Sequence, residues 1–258
     1  MARQVSSALV TGGARGIGAA IAEGVIAGGG RVVVADVDDE AGLALVGRLG
    51  AAARFIHCDV TSESQVAAAV DLAAEAAPVD AVFANAGAVG TIGRIEEHAL
   101  EDYRRTMDLL LTSVFLTVKH AVRVMRPHGA GAIVCTGSVA SLRGGLGPHV
   151  YTAAKHAVKG LVESVAVDIV RDGLTINAIA PGGAVTSLAA GLMGDRDDLE
   201  TPYRRLAEAS ASGVPTTAAD VADAALFLAG ASRINGACLV VDGGDSVLGN
   251  AGRASYYV

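Results

Sequence analysis

Tryptophan is absent, and four Phe with five Tyr bring aromatics to only 3% of 258 residues. A core of any size must therefore be filled by the aliphatic residues that dominate the 52% apolar content, and no aromatic stacking signature marks a ligand. Cysteine is scarce too. Cys58, Cys135 and Cys238 are odd in number and far apart, which argues against a disulfide framework or a metal site and fits buried thiols in a reducing compartment. Basic charge is outweighed: 27 acidic residues against 20 Lys and Arg give a net charge of −7, and no basic tract gives a reason to expect nucleic acid. No run of eighteen apolar residues occurs, and Met1 to Ser7 lack an apolar targeting core. The expectation is a cytoplasmic protein without a membrane span. His57, His98, His120 and His128 show no metal-ligand spacing, so no metal is expected.

What is present is alternation. Strand-like runs at 7–10, 31–35, 54–57, 80–84, 132–136, 175–179 and 238–241 alternate with helical candidates at 16–27, 39–48, 63–76, 100–125, 149–170 and 218–228. This pattern predicts a single α/β domain over residues 1–258, with a doubly wound, mainly parallel sheet of about seven strands covered on both faces. No repeat, low-complexity tract or long linker divides the chain. Residues 187–214 break the rhythm with Gly191, Gly194, an acidic cluster and Pro202, and read as a substrate lid or as a surface excursion.

The first strand runs into Thr11-Gly12-Gly13-Ala14-Arg15-Gly16-Ile17-Gly18. Its glycines permit a sharp turn and close approach to a pyrophosphate, and the following helix directs unpaired N–H groups at the same anion. The position between a strand and an Ala-rich helix gives this turn its meaning. Asp36, eighteen residues beyond Gly18, is placed to bind an adenosine ribose diol and to repel a 2′-phosphate, which favours NAD over NADP. Asp38 and Asp39 add to that repulsion. Arg15 pulls the other way as a candidate phosphate contact, and Asp36 has a second reading as a turn or helix cap. Asp59 and Val60 follow the third strand, and Asn85-Ala86-Gly87 the fourth, where strand ends build a ligand crevice. Asp59 is placed to bind an adenine amino group, yet both segments also read as ordinary turns.

Tyr151 and Lys155 lie one helical turn apart, with Ser138 thirteen residues upstream of the tyrosine. A free phenol, with a pKa of about 10, is a poor base at neutral pH. A neighbouring ammonium stabilises the phenolate and lowers that pKa, while Ser138 would hydrogen-bond a substrate oxygen as charge develops on it. The pair alone is a common accident of helix surfaces; the dinucleotide turn upstream changes its weight. His149 reads as a pocket residue or a solvent-exposed one, and His156 points away from Tyr151 by helical geometry.

Together these segments, with Asn177 and Pro181-Gly182, resemble the short-chain dehydrogenase/reductase superfamily over residues 11–244. The resemblance implies a Rossmann-type fold and reversible hydride transfer between NAD and a secondary alcohol or its ketone. It makes Tyr151 the acid/base, Lys155 a ribose ligand that lowers the Tyr pKa, and Ser138 the group that orients the substrate oxygen. Asn85 and Gly87 would adjoin the cofactor ribose and ring. Pro181-Gly182-Gly183-Ala184-Val185-Thr186 resembles the nicotinamide-binding turn, in which the backbone near Ala184 and the Thr186 hydroxyl hold the cofactor. A homotetramer is also implied, with 100–125 and 149–170 at one interface and the tail 251–258 free to pack on a neighbour or to fray. The segments 147–151 and 240–244 are similar to those of secoisolariciresinol dehydrogenase-like alcohol dehydrogenases. One departure stands out. Leu110 occupies the position where many members carry an Asn that completes a catalytic tetrad, so a relay using the main-chain carbonyl there would survive with less local support. An NADPH-dependent carbonyl reductase and a catalytically silent dinucleotide-binding protein are the competing expectations.

Overall fold

The strands that begin this fold do not alternate between buried and exposed positions. In the computed structural model, which describes residues 4–195 and 197–247, β1 (Ser7–Thr11) is buried along its whole length. Such strands belong at the centre of a parallel sheet, where both faces are covered and every side chain is apolar or satisfied. The chain continues through α1 (Gly16–Ala27), β2 (Arg31–Asp36), α2 (Asp39–Leu49), β3 (Ala53–His57), α3 (Glu63–Ala74) and β4 (Ala81–Ala84). Next come α4 (Leu100–Met107), α5 (Ser113–Met125), β5 (Gly131–Thr136), α6 (His149–Ile169) and β6 (Leu174–Pro181). The remainder is β7 (Ala184–Val185), α7 (Ser187–Leu192), α8 (Glu200–Ala209), β8 (Thr216–Thr217), α9 (Ala218–Gly230) and β9 (Cys238–Val241).

Seven strands form one parallel sheet in the order β3-β2-β1-β4-β5-β6-β9. The order reverses between β1 and β4, and ligands in such sheets bind outside the strand carboxyl ends at that switch point. One apolar layer packs α3, α5 and α6 against the sheet through residues such as Val66, Met125 and Ile169. The other packs α1 and α9 through Ile21, Val25 and Leu228. The two layers hold the strand ends, and therefore the site, in fixed relation.

Two features differ from the sequence expectations. The helix expected over 100–125 is interrupted by a π-turn at Asp108–Thr112, where the Ser113 N–H reaches back five residues to the Asp108 carbonyl. The Ser113 hydroxyl donates to the Leu109 carbonyl and competes with the regular ladder there. The segment 187–214 is not irregular: it carries α7 and α8 and is bracketed by a two-strand parallel pair, β7 with β8. The Thr186 hydroxyl caps α7 by accepting from the Ala189 N–H. The tail 251–258 lies outside the described residues, as do residues 1–3.

Candidate active site

A cleft of about 720 Å³ opens over the carboxyl ends of the strands at the switch point. It is lined by Gly12, Arg15, Gly16, Ile17, Asp36, Asp59, Val60, Asn85, Ala86 and Gly87 at one end, with Ser138, Tyr151, Lys155, Pro181, Gly182, Ala184 and Thr186 beyond them. Gly18, also expected at the cofactor, does not line it, because it lies buried beneath the turn. A Cβ on Gly18 would stand 2.1 Å from the Gly12 carbonyl oxygen and 2.8 Å from Asn85 Nδ2. Gly12 itself has φ +60°, and a Cβ there would meet the Ala86 backbone at 2.6 Å. The turn thus keeps its backbone open to the cleft at the start of α1, a geometry that fits a pyrophosphate.

The carboxylates around this turn are already tied to the protein. Asp36 Oδ2 accepts from the Ala14 N–H and its Oδ1 from the Asp38 N–H, both at 3.0 Å. That uses two of roughly four acceptor sites, leaving capacity for a ribose diol. Asp59 Oδ1 accepts from both the Thr61 N–H and hydroxyl, which hold its pKa below the ordinary carboxylate value. Asn85 is a staple. Its Nδ2 donates to the Thr11 and Gly12 carbonyls, and its Oδ1 accepts from the Thr136 hydroxyl, so its amide joins β1, β4 and β5 across the switch point.

At the other end, α6 brings Tyr151 and Lys155 onto the cleft wall facing Ser138, which begins the short turn after β5. Ser138 also accepts from the Ala140 N–H, fixing its hydroxyl. Lys155 is 4% exposed, with Nζ donating to the Thr136 carbonyl at 2.7 Å and lying 5.6 Å from the Tyr151 ring centroid. Burial pulls its pKa down to about 8, opposed by the Cys135 thiol nearby. Burial raises the Tyr151 pKa above its ordinary value, opposed by the nearby Ser138 hydroxyl. The expected lowering of the phenol by Lys155 is therefore not the dominant influence; desolvation is. Leu110 is fully buried on the π-turn, and its Cδ2 lies 3.3 Å from where a Gly87 Cβ would stand. It forms an apolar floor beside Gly87, at the position where the resemblance puts an Asn in many members.

Several lining residues escaped the sequence reading. Thr136 bonds Lys155 through its backbone carbonyl, which carries no side-chain signal, and Asn85 through its hydroxyl. Leu109 reaches the cleft by way of the π-turn, and Leu188 and Leu192 share the inner face of α7. Their i, i+4 spacing was the available clue. Cys58 lines the cleft as well, but burial pushes its thiol up to about 11 and leaves it unreactive. His149 is exposed and packs edge-on to His98, ring centroids 6.2 Å apart, rather than lining the cleft. His156 bonds the Thr152 carbonyl. Among the described residues no cluster of three metal-ligating side chains occurs, all three cysteines are free, and no helix is long and apolar enough to cross a membrane.

A parallel sheet of this order with a glycine turn at its switch point is a dinucleotide-binding architecture, and the similarities that follow make the chain an NAD(P)-dependent oxidoreductase. Residues 12–246 match the family described as Enoyl-(Acyl carrier protein) reductase, and the chain belongs to that family within the short-chain dehydrogenase/reductase superfamily. Momilactone A synthase of Oryza sativa subsp. japonica is 42% identical over 250 residues, covering 95% of this chain and 91% of that protein. Secoisolariciresinol dehydrogenase of Forsythia intermedia is 37% identical over 255 residues, covering 97% and 92%. The crystal structure of levodione reductase superposes with a TM-score of 0.87 at 31% identity, covering 94% and 98%. The likeness to secoisolariciresinol dehydrogenase is thus one among several, and the narrower resemblance does not single out one relative.

Proposed function

We propose that the chain catalyses reversible NAD-dependent hydride transfer between an apolar secondary alcohol and its ketone. The observation that carries this reading is that Ser138, Tyr151 and Lys155 share one cleft with the glycine turn and Asp36. A bound nicotinamide supplies the hydride acceptor or donor. Gly12, Gly16, Ile17 and Thr186 would hold its phosphates and carboxamide, Asp36 the adenosine ribose, Asp59 and Val60 the adenine, and Lys155 with Asn85, Ala86 and Gly87 the inner ribose. Tyr151 takes the hydroxyl proton in oxidation and returns it in reduction. A phenol with its ordinary pKa of about 10 is protonated at neutral pH, the form that donates to a ketone oxygen, and burial acts in the same direction. Ser138 orients that oxygen. Leu110 supplies only its main-chain carbonyl to a proton relay.

The substrate side of the cleft is walled by Val89, Leu109, Leu188 and Leu192. Such walls bind by apolar area, so a hydrophobic cyclic alcohol suits them better than a polyol. The relatives' names specify different compounds, and none transfers directly. Residues 187–214 act as the lid. The intact Ser138, Tyr151 and Lys155 set argues against a silent dinucleotide binder. We place the protein in the cytoplasm as a homotetramer, with exposed Leu100, Tyr103 and Phe115 supplying apolar contact area.

Tyr151→Phe tests the core of this reading. Turnover of a panel of cyclic, aromatic and polyol alcohols should fall on the order of 10²–10⁴-fold while calorimetric NAD binding persists. Preserved turnover would sink the assignment.

A further inference from the structure

Arg15 and Lys155 are the two cations among the described residues lining the cleft, and both are held by the protein. Arg15 leaves the glycine turn toward the corner occupied by Asp36. Its Nε donates to Asp38 Oδ2 at 2.9 Å, and its Nη1 stands 3.7 Å from Asp197 Oδ1 in the segment after α7. Asp38 is itself fixed from two sides. Its Oδ1 accepts from the Ala41 N–H as the N-cap of α2, and its own N–H donates to Asp36. Asp36 in turn accepts from the N–H of Ala14, the neighbour of Arg15. A closed ring of hydrogen bonds therefore runs from Arg15 through Asp38 and Asp36 back to the glycine turn.

A guanidinium beside a ribose-binding carboxylate has the donor geometry to clamp a phosphate. Here that donor set is directed onto a carboxylate that cannot swing away without uncapping α2. Both partners are partly solvated, so the pair adds little to stability; its consequence is where the guanidinium points. We infer that Asp38 is a cofactor-specificity residue: by holding Arg15 it denies a 2′-phosphate a cationic partner, so that discrimination against NADP rests on the Asp38–Arg15 pair as well as on Asp36. This inference rests on the NAD reading above and goes beyond it by giving Asp38, read from the sequence as a source of simple charge repulsion, a role that acts through Arg15.

Asp38→Asn is the suitable variant because Asn caps a helix as well as Asp does, so α2 should keep its circular dichroism. Binding of NAD and NADP to the full chain would be measured by calorimetry for the parent, Asp38→Asn, Arg15→Ala and the double variant. The ratio of the NADP Kd to the NAD Kd should fall at least about fivefold on Asp38→Asn with Arg15 present, and less than about twofold in the Arg15→Ala background. Asp38→Ser, which also caps, should move the ratio in the same direction. An equal change in both backgrounds would overturn the inference, because Asp38 would then act by simple charge repulsion. No change in either background would overturn it as well. A parent that binds NADP as tightly as NAD would overturn the NAD reading and this inference together, and that result is visible before any variant is compared.

Discussion

Asp36, Asp38, Asp59 and Asn85 each hold a backbone N–H or carbonyl at the dinucleotide end of the cleft. On the facing wall, α7 presents Leu188 and Leu192, 47% and 57% exposed, with no comparable set of polar ties. The first wall has its geometry settled before any ligand arrives, so little ordering cost remains when a dinucleotide binds. The second keeps apolar surface in water that a substrate would cover. The cofactor end is therefore specified by directional bonds, and the substrate end by shape and hydrophobic area. A short helix between glycine-containing loops can change its side chains without disturbing the sheet.

The largest effect should come from Lys155, where the two walls meet. Lys155→Met removes the ammonium beside Tyr151 and should lower kcat by on the order of 10²-fold or more. It should not unfold the protein. A shift of the lysine from 10.5 to about 8 corresponds to about 3 kcal/mol of cost to the folded state, partly offset by its bond to the Thr136 carbonyl. Below pH 8 the lysine is charged in both states and the cost is full. Between pH 8 and 10.5 the unfolded chain binds more protons, so parent stability rises with pH. The Met variant should thus gain on the order of 1 kcal/mol at pH 7 and lose that advantage toward pH 10.5, as read by thermal melts across pH. A variant less stable at pH 7, with an unchanged pH slope, would show that the buried ammonium is not strained.

Gly18→Ala probes the tied wall alone. Its Cβ would meet the Gly12 carbonyl and the Asn85 amide, so the staple must shift and the turn with it. NAD affinity should fall about tenfold, with a loss of about 1–3 kcal/mol in stability from overpacking. If denaturant melts show the stability loss while NAD binding stays intact, the staple does not position the turn and the contrast between the walls weakens.

How far each wall was legible follows from the same contrast. The seven strands and the dinucleotide turn announce themselves through β-branched runs and through glycines whose absence of a Cβ is a structural demand. The π-turn was hidden because Asp108 to Thr112 keep a helical apolar pattern; widening one turn is a backbone event without a side-chain signature. The helices within 187–214 were masked by residues that usually break helices. Gly191 lies at the end of α7, and Pro202 sits in the first turn of α8, where an N–H has no helical partner to lose. The burial of Tyr151 and Lys155 was not legible either, because spacing says that two groups are near, not how far each lies from water.

The smallest expected effect lies on the apolar wall. Leu192→Ser takes a branched aliphatic side chain off the inner face of α7 and leaves the capped start at Thr186 untouched. About half of the leucine is exposed, so its contribution to substrate binding is a fraction of a fully buried side chain, on the order of 1 kcal/mol. KM for an apolar cyclic alcohol should rise about fivefold, with kcat and the NAD Kd changed less than twofold. That split separates the walls: a matching loss in NAD affinity would mean that α7 belongs to the dinucleotide site, and a fall in kcat alone would place Leu192 in lid closure rather than in substrate contact.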